Sequence, residues 1–304
     1  MIQPLQLPVL HTLSALTVDG ADARSFLQGQ LSQDLRKLSP QHALLASCNS
    51  AQGRVQAVMT LMERDGHIIA LLPATMIPRM LTRLRSYVLR AKVRLLNDPS
   101  LWCIVPLDAN QAAVISNLLP VVPGEVVQAG ELSLMRWWSA DERYLLLAAP
   151  AAIRLQTTED SCLQWRRADI AAGLPQVYPE THESFVAQML NLDALNGISF
   201  DKGCYTGQEI IARTHYRGAI KRRMFRFAAN CAAPDPGTRV VQGSTHAGEV
   251  VDAVSTDAGC ELLAVVSVDL SQTELHLDGV AGSRLHMLSL PYVLPGAPLQ
   301  EKTG

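Results

Sequence analysis

The run Asp201-Lys202-Gly203-Cys204-Tyr205-Thr206-Gly207-Gln208-Glu209 gathers the side chains of this chain best suited to chemistry. Thr206 and Glu209 stand at capping-box spacing, and Ile210, Ile211 and Ala212 continue as helix, so Thr206 is expected as an N-cap. Cys204 would then sit just ahead of the positive end of a helix dipole, with Lys202 close in sequence. Both influences favour a thiolate, the form in which cysteine acts as nucleophile or metal ligand. Gly203 and Gly207 remove side-chain bulk on either side and would let a ligand or partner approach the sulfur. Two plainer readings of the same residues stay open. Cys204 could be a buried thiol in a tight loop that needs its glycines, and the helix start could hold a phosphate or carboxylate.

A basic run follows: Arg213, His215, Arg217, Lys221, Arg222, Arg223 and Arg226. It reads either as a solvated face or as an anion-binding patch for a polyglutamate tail or an RNA backbone. Arg79, Arg83 and Arg90, on a separate helix, would extend such a patch if the fold brings them near. Trp165 reads as a core residue or as a flat wall for a heteroaromatic ring. Of the six cysteines, the five besides Cys204 read as small buried hydrophobes. No Cys or His spacing suits zinc, so no metal site is expected, and His182 and His215 read as ordinary polar residues.

The elements that must position these residues can be traced by period and turn chemistry. Leu13 to Val18 reads as a strand, Asp22 as a cap, and Phe26, Leu27 and Leu31 as a helix face. Ala43 to Cys48 and Arg54 to Leu61 are strands joined by the turn Asn49 to Gly53, and Asp65-Gly66 turns the chain into His67 to Leu72. Met76 to Arg90 is an amphipathic helix. Cys162 to Ala172 is a helix ended by Gly173 and Pro175. Strands and helices interleave without a strict βαβ rhythm, which predicts an α+β fold. Beyond Arg223, short apolar strands alternate with turn clusters such as Pro234-Asp235-Pro236-Gly237, as in a small β-barrel. These features divide the chain into 1–223, a barrel over 224–295, and a tail over 296–304.

The chain has 304 residues, 48% hydrophobic and 18% charged, with a formal net charge of -2. That composition is globular, too large for one small core, and lacks the basic excess of a dedicated duplex-DNA binder. No apolar run is long enough to span a membrane, and Met1 to Leu10 carries no Lys or Arg, as a signal peptide would. A cytoplasmic protein with no membrane partner is the expectation.

The segment Lys202 to Glu209 resembles the signature of the YgfZ family. The likeness extends to Gly173-Leu174-Pro175, Pro179-Glu180-Thr181, Asn191-Leu192-Asp193, Gly197-Ile198-Ser199-Phe200, Ala212 to Gly218, and Gly20-Ala21-Asp22 with Leu27-Gln28-Gly29-Gln30. It implies an aminomethyltransferase-like α+β architecture, with two interlocked ferredoxin-like domains, a small C-terminal β-barrel and a central channel for tetrahydrofolate. It also implies a link to assembly or repair of iron–sulfur clusters, with cluster enzymes or cluster-assembly proteins as partners and an indirect tie to tRNA methylthiolation. By the same resemblance Cys204 is the required thiol, within a Lys202-Gly203-Cys204 match, and Trp165 is one of two tryptophans lining the folate site. The second tryptophan position holds Leu13, which implies a weaker hold on folate. True aminomethyltransferases carry an acidic residue on the strand after the Asn-to-Gly turn. Here Arg54 to Thr60 contains no Asp or Glu, which points away from glycine cleavage and toward an accessory role.

Overall fold

The computed structural model describes residues 6–295, apart from 140, 153, 157–158, 219 and 272. The tail expected over 296–304 lies outside the described residues. After a short strand β1 (Gln6–Pro8), the first unit comprises β2 (Leu13–Asp19), α1 (Ala23–Gln30), β3 (Leu44–Asn49), β4 (Val55–Arg64), β5 (His67–Pro73), α2 (Ile77–Val88) and β6 (Arg94–Leu96). Its five strands form one sheet in the order β3-β4-β5-β2-β6, every neighbouring pair antiparallel. α2 buries Ile77, Met80 and Leu84, of the apolar face that its spacing predicts, and leaves Arg79 exposed; it ends at Val88, so Arg90 lies just beyond it, also exposed.

The second unit comprises β7 (Cys103–Asp108), α3 (Ala109–Ile115), β8 (Val126–Ala129), β9 (Leu132–Arg136), β10 (Arg143–Ala148), β11 (Arg154–Gln156) and α4 (Glu159–Ala171). Its sheet runs β7-β10-β9-β8. The two units interlock through the backbone. β1 pairs in parallel with β11, Leu10 N–H donates to Ile104 O at 2.8 Å, and Ala43 N–H donates to Gly124 O at 2.7 Å. After α4 the chain returns to the first unit, where Val55 N–H donates to Phe185 O at 2.8 Å and Ser199 N–H to Ser32 O at 2.9 Å.

α5 (Gln208–Arg217) then leads into β12 (Arg222–Ala229), β13 (Arg239–Gln242), β14 (Thr245–Thr256), β15 (Gly259–Ser267), β16 (Leu275–Leu277) and β17 (Arg284–Leu288). These strands close a barrel in the order β12-β15-β14-β13-β16-β17. Closure leaves no free edge between its first and last strands, the usual way a small antiparallel sheet avoids edge pairing. The α+β fold with a C-terminal barrel is thus the observed architecture. No helix among the described residues is long and apolar enough to cross a membrane.

One core lies under α1 and α2 and includes Leu16, Leu27, Met59 and Leu72. A second lies between the two sheets and α4 and includes Ala15, Ile69, Ile104, Leu145, Trp137 and Trp165. Trp138 and Leu195 pack against both. α4 joins the second core to the barrel. Its Arg166 pairs with the buried Asp252 of β14, which also accepts the Tyr178 hydroxyl at 3.0 Å. Asp22 stands at the N-cap of α1 but does not cap it. Its carboxylate accepts Lys92 N–H at 2.7 Å instead, because the loop after α2 folds back over the helix start.

Candidate functional site

The signature segment is built on the C-terminal end of α1. A helix end leaves its last carbonyls without intrahelical partners and attracts cations. Lys202 meets that need. Its buried ammonium donates to Gln28 O at 2.6 Å, Leu31 O at 2.7 Å and Gln33 O at 2.9 Å. Thr206 N–H adds a bond to Gly29 O at 3.2 Å. Further upstream, Gln33 Nε2 donates to Asn196 O and Ser32 Oγ to Gly197 O, each at 2.6 Å. The chain from Asn196 to Thr206 is therefore laced along residues 28–33.

Cys204 stands between the two anchors, Lys202 and Thr206, and is exposed, while Cys48, Cys103, Cys162 and Cys260 are buried and Cys231 is intermediate. This decides against the packing-thiol reading. A Cβ added at Gly203 would meet nothing within 4 Å, so packing does not demand glycine there and the space beside Cys204 is open. Gly207 is different. It sits at φ +82, and a Cβ on it would lie 2.5 Å from Ser50 O, so the turn after β3 and the start of α5 approach as closely as backbones can.

That approach overturns the expected capping box. Gly207, not Thr206, is the N-cap of α5, and no side chain caps it. Cys204 therefore stands three positions before the cap, one further than a cap at Thr206 would place it. Lys202 is directed away from a partnership with Cys204, since its three donors are spent on carbonyls. Burial pulls its pKa down to about 8, which leaves the ammonium charged at neutral pH. Lys202→Met is expected to cost about 3 kcal/mol by stranding buried carbonyls, read as a lower urea midpoint. A cost under about 0.5 kcal/mol would mean that water reaches those carbonyls.

The basic run does not form one patch. Arg223 is buried against Asp193, Arg226 pairs with Glu261 at 2.6 Å, and Arg213 pairs with Glu209 at 3.2 Å. Arg83 of α2 comes nearer the site. It donates to Gln56 Oε1 at 3.0 Å and to Gln30 Oε1 at 3.3 Å, at the helix end that anchors the signature. His215 is more than an ordinary polar residue: its ring stacks on Phe200 at 3.7 Å and meets Tyr216 edge-on at 4.8 Å. The spacing of these three rings in sequence carried no signal of that cluster.

Trp165 belongs to the second core, apart from Cys204. It is 6% exposed, lies 5.1 Å from Trp137, and carries the Arg143 guanidinium 4.6 Å above its ring. Arg143 and Trp137 Nε1 both bind Asp169 Oδ1, at 2.9 Å and 2.8 Å. Trp165 Nε1 is buried with no hydrogen-bond partner. Leu13 packs on the same cluster, so the two positions of the expected aromatic clamp share one core. Trp138 meets Trp137 edge-on at 5.5 Å and walls a cavity of about 400 Å³ that also touches Ala172, Asn196, Pro291 and Tyr292. Asn196 thus borders this cavity at the start of the segment that ends in the signature loop.

No protein-family model matches the chain. The chain is 33% identical over 310 residues to the tRNA-modifying protein YgfZ of Edwardsiella ictaluri, covering 95% of this chain and 93% of that one. It is 31% identical over 312 residues to the protein of the same name in Enterobacter sp., covering 96% and 94%. Its fold resembles the crystal structure of the glycine cleavage system aminomethyltransferase T from Bartonella henselae, at a TM-score of 0.66 and 13% identity, over 95% of this chain and 86% of that one. An exposed cysteine on an anchored loop, an aminomethyltransferase fold and near full-length relatives at this identity agree: the chain belongs to the YgfZ family of tRNA-modifying proteins.

Proposed function

We propose that this chain is a cytoplasmic tetrahydrofolate-binding accessory protein for iron–sulfur enzymes, supporting cluster-dependent tRNA modification, with Cys204 as its functional thiol. The observation that carries the reading is the presentation of Cys204. It is the exposed cysteine of the chain, held on a loop whose neighbours on both sides are tied to α1. A cluster needs about four protein ligands, so one thiol contributes to a cluster only together with a partner protein. A mixed disulfide with such a partner is the other chemistry open to an exposed cysteine.

The residues around Trp165 fit a heteroaromatic ligand in two respects. The buried indole N–H of Trp165 lacks an acceptor, which a pteridine supplies, and the cavity beside Trp138 has the size and aromatic walls of a small-molecule site. Tetrahydrofolate, when bound, supplies nitrogens that carry one-carbon units. Trp138 and Tyr292, which line that cavity, would provide stacking surface, and Trp165, buried in the core beside Trp137, would offer Nε1 as a donor to a ligand that reaches it. The aminomethyltransferase alternative is not favoured, since Arg54 to Thr60 offers no carboxylate. Nor is an RNA module on 213–226, since Arg223 and Arg226 are committed to poorly exposed carboxylates.

Calorimetric titration with tetrahydrofolate tests the folate half. Saturable binding is expected in the parent chain. Trp165→Phe, which keeps a ring and loses the donor, is expected to bind about three- to tenfold more weakly, the worth of one hydrogen bond. No binding by the parent would remove folate from the proposal, and equal affinity in the variant would move the ligand away from Trp165.

A further inference from the structure

The barrel carries a pair of sulfurs that the reading above does not use. Cys260 is the second residue of β15, where it pairs with Ala229, the last residue of β12. Cys231 follows Ala229 by two positions, in the bend that leaves the strand. Beyond Ala229 the chain swings over β15, and Gly259 makes room for it. Gly259 has φ +126, and a Cβ there would lie 3.0 Å from Cys231 N. The result is that Cys231 Sγ and Cys260 Sγ are 4.0 Å apart, across 29 positions of sequence.

We propose that Cys231 and Cys260 form a dithiol modification site, which low-molecular-weight disulfides of the glutathione type convert to an intramolecular disulfide. A disulfide needs its sulfurs at about 2.05 Å, so closure asks for a movement of about 2 Å, within the reach of side-chain rotation. The two thiols differ in access, and that sets the order of events. Cys231 is partly exposed and Cys260 is 1% exposed. The Cys231 thiolate attacks the external disulfide RSSR, forming Cys231–S–S–R and releasing RS⁻, which takes up the proton that Cys231 lost. Cys260, against the same sulfur, then loses its proton and attacks Cys231 Sγ, expelling the second RS⁻, which that proton neutralises. The protein pair is oxidised by two electrons, and RSSR is reduced to two RSH. Burial first, and then the neighbouring Cys231 sulfur, push the Cys260 thiol up to about 12, so Cys260 does not initiate; its position 4.0 Å from Cys231 Sγ is what lets it resolve the mixed disulfide.

The bond would tie the end of β12 to the start of β15. Glu261, the next residue, accepts Arg226 and approaches Arg167 of α4 at 3.9 Å. The site therefore lies where α4 meets the barrel, and it is separate from Cys204.

The test uses the full chain, oxidised glutathione and a dithiothreitol control, with peptide mapping after N-ethylmaleimide. The expected result is simultaneous loss of the Cys231 and Cys260 adducts, a linked peptide lighter by two hydrogens, and an upward Tm shift that dithiothreitol reverses. Cys260→Ser is expected to stop at a glutathione adduct on Cys231. The proposal is overturned if Cys231 and Cys260 both remain alkylatable after oxidation, if Cys231 stops at the mixed disulfide in the parent chain, or if the linked peptide contains Cys204. A Cys231→Ser chain that still closes a disulfide on Cys260 would overturn it equally.

Discussion

Cys204→Ser is expected to leave the fold intact and abolish the chain's support of tRNA methylthiolation. The two halves of that statement have separate causes. Cys204 is exposed, has open space beside it, and sits between anchors that belong to Lys202 and Thr206. Replacing sulfur by oxygen there breaks none of the contacts that hold the loop, so the stability change should stay within about 0.5 kcal/mol. The hydroxyl, however, does not ionise near neutrality, does not bind iron as a thiolate does, and forms no mixed disulfide. The measurement is methylthiolated nucleoside content by mass spectrometry, in a strain lacking its own family member and complemented with parent or variant. Parent-level modification by the variant would take the thiol out of the mechanism. Loss of modification together with a lowered urea midpoint would instead show that Cys204 holds the loop. The Lys202 variant provides that comparison, because it should lower stability directly.

Sequence alone read the local elements well and the supports of Cys204 poorly, and the reason is the range of the interactions involved. Periodicity and turn residues act locally, so α2, the helix through Trp165 and the barrel strands could be read from them. The resemblance around Cys204 likewise rests on contiguous residues. What holds Cys204 in place is non-local. The carbonyls that take Lys202 lie up to 174 positions away, and the backbone that forces Gly207 to cap α5 is the turn at Ser50. A capping box at Thr206 was locally consistent and lost to that tertiary approach. Trp165 was placed on the right helix, but its neighbours Trp137, just after β9, and Arg143, at the start of β10, come from distant sequence, so the polar-edged aromatic cluster around it had no sequence signature. The basic run looked like one surface because charge was counted along the chain. On β12 neighbouring side chains point to opposite faces, so Arg222 stays in solvent while Arg223 turns inward to Asp193.

Arg223→Ala is expected to be the most destabilising of the single changes considered, at about 3–5 kcal/mol. The Arg223 guanidinium grips Asp193 with both ends, Nη1 to Oδ1 at 2.6 Å and Nη2 to Oδ2 at 2.9 Å. Its remaining donors reach Gln188 O at 3.0 Å and Pro295 O at 3.2 Å. The two side chains are 3% and 7% exposed, so neither has water to fall back on. One residue therefore ties the first barrel strand, the 188–193 segment that packs on the first unit, and the chain beyond the last barrel strand. Truncating Arg223 leaves the Asp193 carboxylate buried without its cation, and that stranded charge, more than the lost bond, is the source of the cost. Against a total stability of about 5–15 kcal/mol, such a loss brings the protein close to its unfolding threshold. Arg223→Lys should also be costly, because an ammonium cannot reproduce the two-pronged contact. The double variant Arg223→Met with Asp193→Leu should recover most of the loss, because it removes both charges and keeps the volume filled. Urea denaturation of the parent, Arg223→Met, Asp193→Leu and the double variant measures this directly as a coupling energy. A double variant as unstable as the single one would place the stabilisation in the Gln188 and Pro295 contacts, and a single variant within about 1 kcal/mol of the parent would show that Asp193 reaches solvent once its partner is gone.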